Sequence, residues 1–93
     1  MELKAKKVSD ILKIISNKNR LLILCLLEEE KQTVSQLNEK INDISMAAIS
    51  QHLSALKLAG IVDSEKKGLN VYYYISDLRI IKVMKTLKEL YCE

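Results

Sequence analysis

The sequence of 93 residues predicts one mainly α domain that carries a single β-hairpin. Three observations predict it. The stretch from Met46 to Ala59 has its apolar residues at helical spacing and stops at Gly60. Just before it, Thr33-Val34-Ser35-Gln36 reads as a capping box, which starts a shorter helix. Just after it come two β-rich runs with lysines and a glycine between them. Two helices joined by a short turn and followed by a hairpin make a winged helix-turn-helix. The expected architecture is five helices and a two-stranded wing over residues 1–93, assembled as a homodimer.

The elements follow in order. Leu3, Val8, Ile11, Leu12 and Ile15 trace one face of a first helix. Asn17 caps a second, apolar without a break from Leu21 to Leu27, so it is expected to be buried on nearly all sides, with Glu28, Glu29 and Glu30 closing it in solvent. The third runs from Val34 to about Ile41 and turns through Asn42, Asp43 and Ile44. In the fourth, capped by Ser45, Ile49, Leu53, Leu56 and Gly60 repeat at i, i+4, i+7 and i+11 and must face the core with Leu37 and Ile41. A strand opens at Ile61 and Val62 and reaches Glu65; a second spans Val71 to Ile75, leaving Lys66, Lys67, Gly68 and Asn70 between them. Ser76 or Asp77 caps a last helix, striped by Ile80, Met84, Leu87 and Tyr91 and widened by Leu78, Ile81, Val83 and Leu90.

The fourth helix has a second face of another kind. Ala47, Ser50, Gln51 and Ser54 form a ridge of short, uncharged side chains, where an ordinary solvated face would carry Lys and Glu; the first charge is Lys57, itself a candidate DNA contact. Such a ridge lets a groove floor approach closely. Gln51 matches an adenine edge, Ser50 and Ser54 reach bases or phosphates, and Ala47 suits a thymine methyl. His52 falls between ridge and buried stripe, where it packs or meets a phosphate. Lys66, Lys67 and Asn70 at the hairpin tip fit phosphate contacts, although a charged tip alone also keeps a hairpin soluble.

Composition fits these readings. With 48% hydrophobic and 29% charged residues the chain is globular, and its net charge of +3 permits binding to a polyanion without requiring it. No apolar run approaches membrane-spanning length, and Lys4, Lys6 and Lys7 lead into an amphipathic pattern and not a secretory one, so the expected location is the cytoplasm. No nucleophile–base set, carboxylate pair or phosphate loop suggests an enzyme, and no cofactor is expected. The terminal helices have apolar faces broader than so small a domain covers, which predicts a dimer seam of Leu3, Val8, Ile11, Ile80, Met84, Leu87 and Tyr91.

The segments SNKNRLLIL, AISQHLSALKLAGIV and VYYYI, with the order of helices, resemble the ArsR/SmtB-type winged-helix repressors from about residue 8 to residue 93. The resemblance implies a cytoplasmic dimer whose two recognition helices enter successive major grooves, about 34 Å apart, of a near-palindromic double-stranded operator. Met46, Ala47 and Ala48 stand where relatives often carry polar base readers, which shifts direct readout toward Ser50, Gln51 and Ser54. The cysteines in LLILCLLEEEK and KELYCE resemble the dithiol branch of that family, the sulfide-responsive and HlyU-type regulators, which implies that Cys25 and Cys92 sense an oxidant or reactive sulfur species. They act together only if the second and last helices pack side by side. A direct disulfide needs Cα atoms about 4.4 to 6.8 Å apart, and a polysulfide bridge spans more. Against sensing, Cys25 among leucines fits a core position, and Glu28 and Glu29 disfavour its thiolate as Glu89 and Glu93 do that of Cys92. The alternatives are a winged-helix regulator without a sensor, such as a constitutive repressor or an anti-silencer, and a metal-responsive repressor. The second needs three or four ligands, and His52 is the only histidine.

Overall fold

In the computed structural model, which describes residues 1–91, each helix after the first begins where the sequence supplies a side-chain cap. The Asn17 side chain accepts from the backbone N–H groups of Asn19 and Arg20 and opens α2 (Lys18–Glu29). Thr33 and Gln36 close both halves of their capping box at the start of α3 (Val34–Lys40). Ser45 accepts from the Ala48 N–H and opens α4 (Met46–Leu58). Of the two candidates for the last cap, Asp77 takes the role: its carboxylate accepts from the Arg79 backbone at 3.0 Å ahead of α5 (Leu78–Tyr91). Between α3 and α4, Asp43 adopts a φ of 60°, a left-handed conformation that Asp tolerates, and the Asn38 side chain donates to the Ile44 carbonyl at 2.8 Å.

The wing is longer and its turn tighter than the sequence suggests. β1 (Val62–Lys67) pairs antiparallel with β2 (Asn70–Ile75), Lys66 opposite Val71 and Lys67 opposite Asn70. Lys66, Lys67 and Asn70 are therefore ladder residues, and only Gly68 and Leu69 form the turn. Gly68 has φ +63° and Leu69 is not among the positive-φ residues, which is the φ pattern of a type II′ turn. A third segment joins the sheet, because Gln32 exchanges both backbone hydrogen bonds with Tyr73 across the outer edge of β2.

One core draws on every element: Ile15 of α1 (Glu2–Ile15), Ile23, Leu24 and Leu27 of α2, Leu37 of α3, Ile49, Leu53 and Leu56 of α4, Val62 and Ile75 of the wing, and Ile80 and Met84 of α5. Two sequence expectations are corrected. Leu22 is 39% exposed, so α2 is not covered on all sides. Ile80 and Met84, expected at a seam between subunits, are 4% and 1% exposed, because both belong to the core of the protomer, Met84 beside Leu21 and Cys25 of α2 and Ile80 beside Ile11 and Ile15 of α1. By contrast, α1 meets the body through its C-terminal end: Ile15 is buried, Ile11 and Ile14 are half-buried, and Leu3, Val8 and Leu12 remain in solvent.

Candidate nucleic-acid interface

The ridge of α4 is open. Ala47, Ser50, Gln51 and Ser54 are all exposed, while Ile49, Leu53 and Leu56 on the other side of the helix are fully buried. Burying each such side chain is worth roughly 1.5 to 3 kcal/mol, so core packing fixes the rotation of α4 and thereby aims the ridge outward.

His52 is engaged inside the protein. It is half-buried, and its Nδ1 accepts from Arg20 Nε at 3.1 Å; Arg20 Nη1 also donates to the Ile14 carbonyl at 3.0 Å. One guanidinium of α2 thus ties the end of α1 to the reading helix. Burial, and then the nearby Arg20 charge, push the imidazole below its ordinary pKa. The contact with Arg20 is a packing one, the first of the two roles the sequence offers His52.

Lys57 is occupied too, its Nζ lying 2.8 Å from Ser64 Oγ and 3.7 Å from the Asp63 carboxylate. It therefore splints the end of α4 to the root of the wing. On the hairpin, Lys66, Lys67 and Asn70 are exposed, with Lys67 Nζ 3.8 Å from Glu65. The main partner of Glu65 is Lys31 at 2.7 Å, and that hydrogen bond holds the Glu65 carboxyl below the usual carboxylate range. Lys31 also lies over the Tyr72 ring, 5.8 Å from its centroid.

Sequence reasoning missed two residues that hold this surface together, Arg20 and Gln32. Gln32 is 1% exposed, and its amide is satisfied at both ends: Nε2 donates to the Leu26 carbonyl at 2.9 Å, and Oε1 accepts from Lys40 at 2.7 Å. With its backbone bridge to Tyr73, it joins α2, α3 and the wing. The only sequence signal was position, since Gln32 sits beside the capping Thr33 at the junction of two helices.

The remaining expected residues lie away from this face. Cys25 is half-buried and, with Leu21, Met84, Leu87, Lys88 and Tyr91, lines a groove of about 270 Å³ between α2 and α5. Cys92 lies outside the described residues. Lys88 of α5 reaches Glu28 at 3.8 Å and Glu29 at 3.7 Å, so α5 supplies one opposing charge to the acidic end of α2, and Glu28 is half-buried, not free in solvent. Of the expected seam, Leu3, Val8 and Tyr91 are exposed and Ile11 and Leu87 half-buried. A second, apolar groove of about 170 Å³ runs between α1 and α5, lined by Val8, Ile11, Leu12, Ile15, Ile80 and Val83.

An open, uncharged ridge on the second helix of a helix-turn-helix, with a lysine-edged hairpin splinted beside it, defines a winged helix-turn-helix DNA-binding protein. The chain belongs to the arsR family of bacterial regulatory proteins, whose family model matches residues 17–64. It is a DNA-binding transcriptional regulator of that family. The transcriptional activator HlyU of Vibrio cholerae is 33% identical over 93 residues, which is 100% of this chain and 85% of that one. The structure of reduced HlyU superposes with a TM-score of 0.93, covering 100% of this chain and 97% of the other. The cadmium resistance transcriptional regulatory protein CadC of Listeria innocua is 42% identical over 79 residues, 84% of this chain and 66% of that one. At 24% identity the likeness extends to the fold alone: a homodimeric winged helix-turn-helix DNA-binding domain from Mycobacterium bovis has a TM-score of 0.81, covering 96% of this chain and 82% of the other. Among the described residues no three His, Cys, Asp or Glu side chains gather closely enough to hold a metal ion, and no helix is long and apolar enough to cross a membrane.

Proposed function

We propose that the chain acts as a homodimer that sets two α4 ridges into successive major grooves of a near-palindromic operator, and that thiol chemistry at Cys25 and Cys92 lowers its affinity for that DNA. The observation that carries the DNA reading is the uncovered ridge Ala47, Ser50, Gln51 and Ser54, whose rotation is fixed by a fully buried stripe behind it. Lys66, Lys67 and Asn70 add phosphate contacts that position the protein without reading sequence. The homodimer is supported by the apolar side chains that α1 and α5 leave in solvent, Leu3, Val8, Leu12, Val83, Leu90 and Tyr91.

Support for the switch comes from the groove between α2 and α5. Cys25 shares that groove with Tyr91, the residue before Cys92 in the sequence, so the helix that holds Cys25 and the helix that leads toward Cys92 are neighbours. In the reaction, two thiols lose two protons and two electrons to an oxidant of the polysulfide or peroxide class. The sulfurs become joined directly or through added sulfur, and the oxidant leaves as sulfide or water. Such a link clamps α5 onto α2, displaces the outer face of α5 at the seam and misplaces the paired ridges. A coupling of about 1 to 3 kcal/mol lowers DNA affinity roughly 5- to 150-fold. Gel-shift titrations of the reduced, polysulfide-treated and Cys25→Ser proteins test it. Loss of affinity on treatment, absent in the variant, is expected; equal affinity in all three removes the switch and leaves the DNA binder.

A further inference from the structure

The tip of the wing carries a side chain that neither solubility nor phosphate binding explains. Leu69 is 99% exposed at the apex of the two-residue turn. Gly68 is required there by its positive φ and not by crowding, since a Cβ at that position would meet nothing within 4 Å. Position 69 has no such constraint, and a polar residue would serve the turn equally well. Single leucines scattered over a surface are ordinary. This one is set apart by its place, held at the end of a rigid ladder with Lys66 and Lys67 on one strand behind it and Asn70 on the other.

The hairpin is fixed to the body at three points: Lys57 on Ser64, Lys31 on Glu65, and the bridge from Gln32 to Tyr73. From Ser64, where the wing joins the end of α4, to Leu69 the strand spans about 17 Å at roughly 3.3 Å per residue. Half a turn of B-DNA is also about 17 Å, the step from a major groove to the adjoining minor groove. The minor groove of a duplex has anionic rims that suit the two ammonium groups, and behind its polar base edges lie stacked apolar base faces that a leucine reaches where a step opens.

We infer that Leu69 enters the minor groove that adjoins the major groove holding α4 and wedges against a base step, while Lys66 and Lys67 meet the phosphates on its rim. The inference rests on α4 lying in the major groove. A leucine wedge partially unstacks the step it enters, so pyrimidine–purine steps, which deform most readily, are favoured at that position. Leu69 thereby contributes sequence preference through DNA deformability, outside the segment the α4 ridge reads.

The test uses the whole chain and duplexes enriched from a random-sequence pool by the wild-type protein, with 2-aminopurine placed at successive steps flanking the segment that α4 protects. Wild-type binding is expected to brighten the probe at a flanking step. Leu69→Ala is expected to abolish that signal and to bind about 10-fold more weakly, about 1.4 kcal/mol, with an unchanged slope of log affinity against log salt, because an apolar contact releases no counterions. Lys66→Ala is expected to reduce that slope by about one. Affinity of Leu69→Ala within twofold of wild type, or tighter binding by Leu69→Lys without brightening, overturns the wedge. Gln51→Glu separates the two readings. If it weakens binding while Leu69→Ala does not, the wedge alone fails; if neither changes binding, the placement of α4 fails as well.

Discussion

Helices α4 and α1 are both amphipathic, yet the protomer completes one and leaves the other open. Ile49, Leu53 and Leu56 of the α4 stripe are buried, and the ridge opposite them is small and uncharged, with Met46 and Leu58 exposed only at the two ends of the helix. In α1 the stripe is buried only at Ile15, and Leu3, Val8 and Leu12 face solvent. The difference separates two uses of one periodicity. A closed stripe fixes the rotation of a helix so that its other face becomes a tool, whereas an open stripe is half of an interface.

The sharpest way to break the comparison is to make the same kind of cut in each helix. Leu53→Ala should cost about 2 to 5 kcal/mol of folding stability, because it leaves a cavity among side chains that cannot collapse onto it. Leu12→Ser should change protomer stability by no more than about 0.5 kcal/mol, yet weaken self-association. Chemical denaturation paired with sedimentation checks both. An equal loss of folding stability in the two variants would erase the distinction between a closed and an open stripe.

Gln32→Leu comes next, at about 1 to 3 kcal/mol, since it strands the Leu26 carbonyl and the Lys40 ammonium that its amide satisfies. The backbone bridge to Tyr73 survives the change, so slower hydrogen exchange should persist at Tyr73 while the end of α2 loses protection. Uniform loss across the wing would show instead that the side chain anchors the sheet.

Local signals carried most of the fold into the sequence. Asn17, the Thr33–Gln36 box and Ser45 each act within a turn of the helix they start, and the spacing of Ile49, Leu53 and Leu56 names a buried face without reference to any other element. The α4 ridge was legible for the same reason, as the complement of that stripe. What stayed hidden depends on contacts between distant segments. Nothing in the spacing of Ile80 and Met84 says whether the protomer or a second subunit covers them, and only the packing of α5 against the core assigns them to the protomer. The engagement of Lys57 by Ser64, of Glu65 by Lys31 and of His52 by Arg20 likewise requires the assembled fold. A lysine-rich hairpin reads the same in sequence whether its ammonium groups are free or already paired.

The capping box tests the local half of that lesson. Thr33→Ala removes the hydroxyl that accepts from the Gln36 N–H at 3.1 Å and should cost about 1 kcal/mol. The companion Gln36→Ala removes the bond to the Thr33 N–H at 2.9 Å. In a double-mutant cycle the two losses should be non-additive, because they act on one structure. Strict additivity of the two losses would mean that the two bonds act independently and do not form one cooperative box.

The smallest expected effect probes the non-local half, through the bond between α2 and α4. His52 is the only histidine of the chain, so no other side chain with an ordinary pKa titrates between about pH 5.5 and 6.5. Burial and then Arg20 lower its pKa in the folded state, so on acidification the unfolded chain takes up the proton first. Stability is therefore fully present above about pH 6.5, falls as the pH drops below that value, and levels off once the folded imidazole is also protonated. Protonation removes the lone pair at Nδ1 that accepts from Arg20 and sets two cations side by side, which loosens the tie between α4, α2 and the end of α1. His52→Asn should flatten the profile of denaturation midpoint against pH over that range, while Thr33→Ala should shift the whole profile without changing its slope. A slope that persists in His52→Asn would assign the dependence to another group and leave the Arg20 contact without a measurable part in holding the reading helix.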